Sequence, residues 1–200
     1  MALARWATEP PWISTFLLTS PTKYNTMITA LLIILALVAI PLIAALFMEK
    51  QYSLTAEIII NRAQQDVFHY IRMIGNQKHY NKWVMADPKA KIKTTGTDGT
   101  VGFISAWESQ VKNVGVGAQE ITRIIDGQGY EAELRFEKPF KGLSHAVNMT
   151  SALSPNQTRV SFTFHSSNPY PMNLLVPMIK KMLLKDMNEN CANLKKVLEA

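Results

Sequence analysis

Along the chain the apolar positions change their spacing twice. Met27 to Phe47, "MITALLIILALVAIPLIAALF", runs without a single charge. As a helix it extends about 31 Å at 1.5 Å per residue, the thickness of a bilayer's hydrocarbon core. A cleaved secretory signal has a shorter apolar stretch, about 7–15 residues, behind a basic leader, and this run lacks a strongly basic one. A retained single-pass anchor over 27–47 is expected, and Pro41 adds a kink that a spanning helix tolerates. Arg5 and Lys23 precede it and Lys50 and Arg62 follow it, so the charge bias leaves the membrane side of the rest of the chain open. Residues 1–26 read as a leader. Its "PPWISTFLLTSP" is too short to span, and Trp6 and Trp12 suit headgroup depth.

From Tyr52 onward the spacing is that of a folded domain, 52–200. "YSLTAEIII" reads as a strand. In "QQDVFHYIRMI" Val67, Phe68, Ile71 and Ile74 fall at helical spacing, and a shorter helical piece follows around "NQKHYNKWV". Six further strand candidates run through "AKIKT", "GTVGFISAWES", "GAQEITRII", "GYEAELRFE", "SHAVNMTSAL" and "TRVSFTFHS", separated by turn signals such as "TGTDG", "DGQG" and "SPNQ". Short turns imply antiparallel neighbours. In the fourth of these strands Tyr130, Ala132, Leu134 and Phe136 alternate with Glu131, Glu133, Arg135 and Glu137, which gives one oily and one charged face. The chain ends in a long amphipathic helix with Leu175, Ile179, Leu183, Met187, Leu194 and Val197 on one stripe and Pro177 in or just before its first turns. A curled sheet of about seven strands needs its inner face covered, and this helix is the one element large enough to do it. The fold class is therefore α+β, with Tyr130, Ala132, Leu134, Phe136, Val160, Phe162 and Phe164 turned toward the helix.

Composition removes several function classes. The formal charge is +6, with lysines and arginines scattered and no basic block interleaved with aromatics, so nucleic acid is not an expected partner. The lone Cys191 permits neither an internal disulfide nor a multi-thiolate metal site, and it reads as a small packed side chain. His69, His79, His145 and His165 show no metal-type spacing, no Gly-x-Ser-x-Gly elbow is present, and no catalytic residue is singled out. His165, in phase with Arg159, Ser161 and Thr163, should face solvent. The glycines of "VGVGAQEI" precede a strand, so they are turn or bulge glycines and not a phosphate cradle. No cofactor is expected.

The segments "AQQDVFHYIRMIGNQKHYNKW", "GTVGFISAW", "VGVGAQEI", "LRFEKPF" and "LLKDMNENCANLKKVLE", in this order over Tyr52 to Glu199, carry a resemblance. The domain resembles the START-like or Bet v 1-like superfamily, and within it the bacterial SRPBCC, or polyketide cyclase/dehydrase, group, in which a membrane anchor ahead of the domain is also seen. It departs from relatives at Asn190-Cys191, where Gly-Leu is common. The resemblance implies a helix-grip fold around a hydrophobic cavity that binds, carries or transforms lipids, sterols, quinones or polyketides. Candidate lining residues are Trp83, Phe103, Trp107, Leu134, Phe136, Phe162, Phe164, Ile179, Leu183 and Met187, with Ser105, Asn148 and Asn190 as polar groups that orient a guest. Met178 and Met182 join Met187 as adaptable thioethers for variable guests.

The expected partner is a lipid, quinone or isoprenoid, bound by a domain that the anchor holds at the membrane. Two alternatives remain open at this stage. A cyclase or hydratase acting on an apolar substrate needs an inward acid or base. An interaction subunit with a membrane-protein partner needs a cavity-free domain and an anchor packed through small residues such as Ala36, Ala39, Ala44 and Ala45. Lys180, Lys181 and Lys185 read either as a solvated helix face or as contacts to anionic lipid.

Overall fold

The computed structural model describes residues 21–200 and divides into two compact units, one ending at Phe47 and one beginning at Met48. Of the leader read over residues 1–26, residues 1–20, with Trp6 and Trp12, lie outside the described residues, and residues 21–26 form the start of helix α1.

The first unit is helix α1, Pro21–Phe47, which continues through Pro41. The stretch Tyr24–Phe47 is long and apolar enough to cross a membrane. Five consecutive large side chains, Leu31, Leu32, Ile33, Ile34 and Leu35, are all exposed. A helix that is apolar on every side has no face to give to water, and its natural solvent is hydrocarbon or the interior of another protein.

The second unit is built on one seven-stranded antiparallel sheet. Its strands are β1 (Gln51–Ile60), β2 (Lys91–Thr95), β3 (Ile104–Glu108), β4 (Val116–Ile125), β5 (Gly129–Lys138), β6 (Gly142–Ser154) and β7 (Gln157–Ser167), in the spatial order β1-β7-β6-β5-β4-β3-β2. Between β1 and β2 lie α2 (Gln64–Arg72), a 3-10 turn (Ile74–His79) and the short α3 (Lys82–Ala86). After β7 a second 3-10 turn (Met172–Leu175) leads into α4 (Val176–Glu199), whose second residue is Pro177. Proline suits that place, because its missing N–H has no intrahelical partner in a first turn. The β3 segment is shorter than the run "GTVGFISAWES" implies, since Gly102 takes a positive φ of 82° in the turn that precedes it. At the sheet's free edge β2 is exposed throughout and carries Lys91 and Lys93, charges that discourage edge-to-edge pairing.

Strand pairing aligns the inward residues in rows across the sheet. One row runs Ala56, Phe162, Asn148, Tyr130, and the next Leu54, Phe164, Ala146, Ala132, Ile121. Nearer the start of β1 follow Tyr52, Ser166, Ser144, Leu134, Gln119, Ser105, and then Phe136, Gly117, Trp107, Ile92. The opposite, convex face holds the charges. Arg135 bridges Glu120 at 2.8 Å and Glu133 at 2.6 Å there, and His145 and His165, paired in the register, are both exposed.

Two apolar clusters fill the concave side. At the end of the sheet where β1 finishes, Ile60, Val160, Tyr130, Ala132, Ile121 and Phe103 enclose Val67 and Ile71 of α2, with Ile74, Tyr80 and Leu194. Along the β1 edge, Val176, Met187 and Cys191 of α4 pack on Tyr52, Leu54 and Ala56. Burial raises the Cys191 thiol to about 11, so the sulfur stays protonated and unreactive near neutral pH. Leu194 is fully enclosed and joins α4 to the α2 end. Leu194→Ala should cost about 2–5 kcal/mol in denaturant unfolding, the range for a buried leucine truncated in a packed core. Lys93→Ala on the exposed edge should change stability by less than about 0.5 kcal/mol.

Candidate functional site: the open half of the concave face

In the two rows nearest the start of β1, Tyr52 and Ser144 are buried, but the side chains on β5, β4 and β3 are less covered than at the α2 end. Among the inward side chains of the α2 half, Ile60, Val160, Tyr130, Ala132 and Ile121 are at most 2% exposed. In the other half Leu134, Phe136, Gln119, Ser105, Trp107 and Phe164 are only half-buried, as are Ile179 and Leu183 of α4 and Trp83 of α3. Packing explains the division. Helix α2 sits over β5, β6 and β7 at one end, and α4 lies chiefly along β1. Among the described residues no α-helix packs extensively on β4 or β3, and the apolar side chains there keep accessible surface.

The floor is shaped by small residues between aromatic ones. Ser144, Ala146, Gly117 and Ser105 sit inward among Phe164, Leu134, Phe136 and Trp107. Gly117 is required by its neighbour: a Cβ there would stand 2.6 Å from the Trp107 ring and 2.6 Å from the Arg135 carbonyl oxygen. The missing side chain lets the indole lie against the sheet. Trp107 Nε1 donates to the Val114 carbonyl at 3.2 Å, and its ring meets Phe136 edge-on at 6.0 Å. Donor, glycine and phenyl ring together hold one aromatic wall in a single orientation.

The polar groups are few and mostly committed. The side-chain amides of Gln77 and Gln119 exchange hydrogen bonds at 2.9 and 3.3 Å across the boundary between the two halves. Tyr130, hydrogen-bonded to Gln77, is raised by burial to about 12 and stays a neutral hydroxyl at physiological pH. The Ser144 hydroxyl, 3% exposed, donates to Ser166 at 2.8 Å beside Leu134. Among the described residues no group of three or more His, Cys, Asp or Glu is placed to hold a metal.

The sequence-derived lining residues fall into three groups. Trp83, Ser105, Trp107, Leu134, Phe136, Phe164, Ile179 and Leu183 are half-buried, with Trp83, Phe164, Ile179 and Leu183 packed against the cluster along β1 and Phe162 stacked on Tyr80 at 6.3 Å. Phe103, Asn148 and Met187 are buried. Phe103 shares its face with Trp107, but it extends the ladder to Ile121 at the α2 end and packs into that cluster. Asn190 is buried, and its Oδ1 accepts the Lys82 backbone N–H at 2.8 Å. Lys82 also bridges Asp186 at 2.9 Å and Glu189 at 2.6 Å. The departure at Asn190-Cys191 thus fastens α3, and with it Trp83, to α4.

Met178 and Met182 are a correction. They are 65% and 55% exposed on the outer side of α4, because they stand one position before the inward residues Ile179 and Leu183, a rotation of about 100°. Ser144, Ser166, Gln77 and Gln119 were not singled out from the sequence. Gln119 and Ser144 are in phase with inward apolar neighbours, which was the available signal, whereas Gln77 arrives through the 3-10 turn and left none.

No family model matches the sequence, and no curated protein matches it. Several solved structures share the fold. Norcoclaurine synthase from Thalictrum flavum, in complex with dopamine and hydroxybenzaldehyde, superposes with a TM-score of 0.56 at 15% identity, covering 78% of this chain and 91% of that one. A protein from Arthrobacter aurescens gives 0.52 at 17% identity over 74% and 86%. The Aha1 dimer from Colwellia psychrerythraea gives 0.50 at 16% identity over 74% and 96%. At these identities the likeness is one of fold.

Phe136→Ala should cost less than the about 3–5 kcal/mol of a fully packed phenylalanine, because its ring already lacks partners on one side. Gly117→Ala should displace Trp107, read as a red-shifted and more quenchable tryptophan emission, with a cost of about 1–3 kcal/mol from overpacking.

Proposed function

We propose that this protein, a Bet v 1-like helix-grip domain behind an apolar helix, is a membrane-anchored binder of a hydrophobic small molecule, with a lipid, quinone or other isoprenoid as the class of guest. One observation carries the reading: the concave face is packed at one end and left accessible at the other. An aromatic and aliphatic floor with a few hydroxyls is the usual chemistry of a pocket that holds an apolar guest and orients it through one polar end. In the lining, Leu134, Phe136, Phe164, Ile179 and Leu183 would meet the chain or ring of the guest. Trp83 and Trp107 would form the flanks, and Ser105 with the Ser144-Ser166 pair would meet a carbonyl, hydroxyl or headgroup oxygen.

The position of the open half supports the membrane part. Its rows include Tyr52, the second residue of β1, so they lie at the end of the sheet where the chain arrives from α1. Only Met48, Glu49 and Lys50 separate Phe47 from β1. With 27–47 as a transmembrane segment and 52–200 as the binding domain, a tether this short holds the site at an effective concentration of order millimolar with respect to the membrane that dissolves its guest. An insoluble molecule then has a short path between bilayer and pocket.

Native mass spectrometry of the detergent-purified full chain, followed by organic extraction, tests the reading. One apolar molecule per chain is expected, and Phe136→Asp or Leu134→Asp should abolish its retention while the protein stays folded by circular dichroism. A wild-type protein that carries no extractable molecule and takes up none from mixed-lipid vesicles contradicts the proposal.

A further inference from the structure

The outer side of the start of α4 is apolar where a helix of a water-soluble domain is normally polar. Tyr170, Met172, Leu174 and Leu175 are between 36% and 42% exposed, and Met178 and Met182 are 65% and 55% exposed. The inward stripe, Val176, Ile179 and Leu183, is used against the sheet, while among the described residues this second stripe stays partly covered at Tyr170, Met172, Leu174 and Leu175 and largely exposed at Met178 and Met182. Contiguous exposed apolar surface of this kind marks an interaction site.

Three observations identify the occupant. First, the patch is fastened to the segment that joins the domain to α1. Asn173 Nδ2 donates to the Met48 carbonyl at 3.1 Å, the Asn168 N–H donates to the Lys50 carbonyl at 2.8 Å, and Lys180 bridges Glu49 at 3.2 Å. Met48 is one peptide bond from Phe47, the last residue of the uncharged helix. Second, between Tyr170 and Lys185 the only charged residues are Lys180, Lys181 and Lys185, so every charge within the segment is positive, with Lys180 paired to Glu49. Third, the exposed residues are methionines, leucines and a tyrosine, side chains that enter a fluid, irregular surface without a fixed geometry to match.

We infer that the segment from Tyr170 to Lys185 docks on an anionic lipid surface, with Met178 and Met182 inserted among the acyl chains and Lys181 and Lys185 at the phosphates. The inference rests on the membrane reading of α1 and deepens it. Because the segment and the open rows of the sheet lie at the same end of the domain, docking turns the open half of the concave face toward the bilayer. A guest then exchanges with the membrane without crossing bulk water.

The test uses the full chain in vesicles of phosphatidylcholine and phosphatidylglycerol, with an environment-sensitive fluorophore on Met178→Cys or Met182→Cys and doxyl-labelled lipid as quencher. Cys191 is buried and does not compete for label. Asn156→Cys, in the β6–β7 turn next to the Ile60 end of β1, serves as the control, about 30 Å along the strands from Gln51. Quenching at both methionine positions at least about threefold above the control is expected, and it should fall in vesicles of phosphatidylcholine alone. Low quenching at these positions, equal to the control, overturns docking. If the label is then also shielded from aqueous iodide, a second copy or another protein covers the patch. Carbonate washing of the same vesicles separates the two readings: protein that stays in the pellet with an unquenched label refutes docking alone, and release into the supernatant refutes the anchor and docking together.

Discussion

A single helix is too narrow for the sheet it grips, and most of the structure follows from that constraint. Seven strands at a spacing of about 4.8 Å make a floor about 29 Å across, while a helix with its side chains is about 10–12 Å wide. Helix α4 is committed to the β1 edge through Val176, Met187 and Cys191. The rest of the concave face must be closed by something else or remain open. Helix α2 closes one end with Val67, Phe68 and Ile71, all fully buried. At the other end Leu134, Phe136 and Trp107 are only half-buried and keep apolar surface accessible.

The same constraint accounts for the polar residues inside. Gln77 and Gln119 pair at the boundary of the packed half, where a bare apolar edge would meet the open floor and a lone amide would be left unsatisfied. Asn190 and Lys82 fasten α3 against α4, which sets Trp83 against the cluster along β1. Asp98 accepts the N–H groups of Ile74 and Gly75, each at 2.8 Å, and ties the β2–β3 region to the helices. These contacts fix α3 and the β2–β3 region in place.

Much of this was legible in the sequence, because period and turn chemistry act locally. The alternation from Tyr130 to Phe136 gave the inward face of β5, the stripe through Ile179, Leu183 and Leu194 gave the buried side of α4, and Pro177 gave the start of that helix. What a one-dimensional pattern could not supply is where along a strand a helix sits. Phe103 and Trp107 share a face and a phase, yet one is core and the other half-open, since α2 covers only the first. Phase also failed to separate Met178 and Met182 from Met187, because the start of α4 is apolar on two stripes and only packing shows which one meets the sheet. Asn190 looked like an orienting group for a guest because it points inward, but a backbone N–H reached it first.

The central claim, that the accessible half of the concave face is where an apolar guest resides, has a direct measurement. A diazirine-bearing fatty acid or isoprenoid, equilibrated with the full chain in vesicles and photolysed, inserts into whatever side chains surround it, and peptide mass spectrometry then reads the adducts. The account requires adducts on peptides from β3 and β5, at Trp107, Leu134 and Phe136, and fewer of them when unlabelled lipid extract competes. Adducts confined to α1 and the outer side of α4, with β3 and β5 unlabelled, would contradict it.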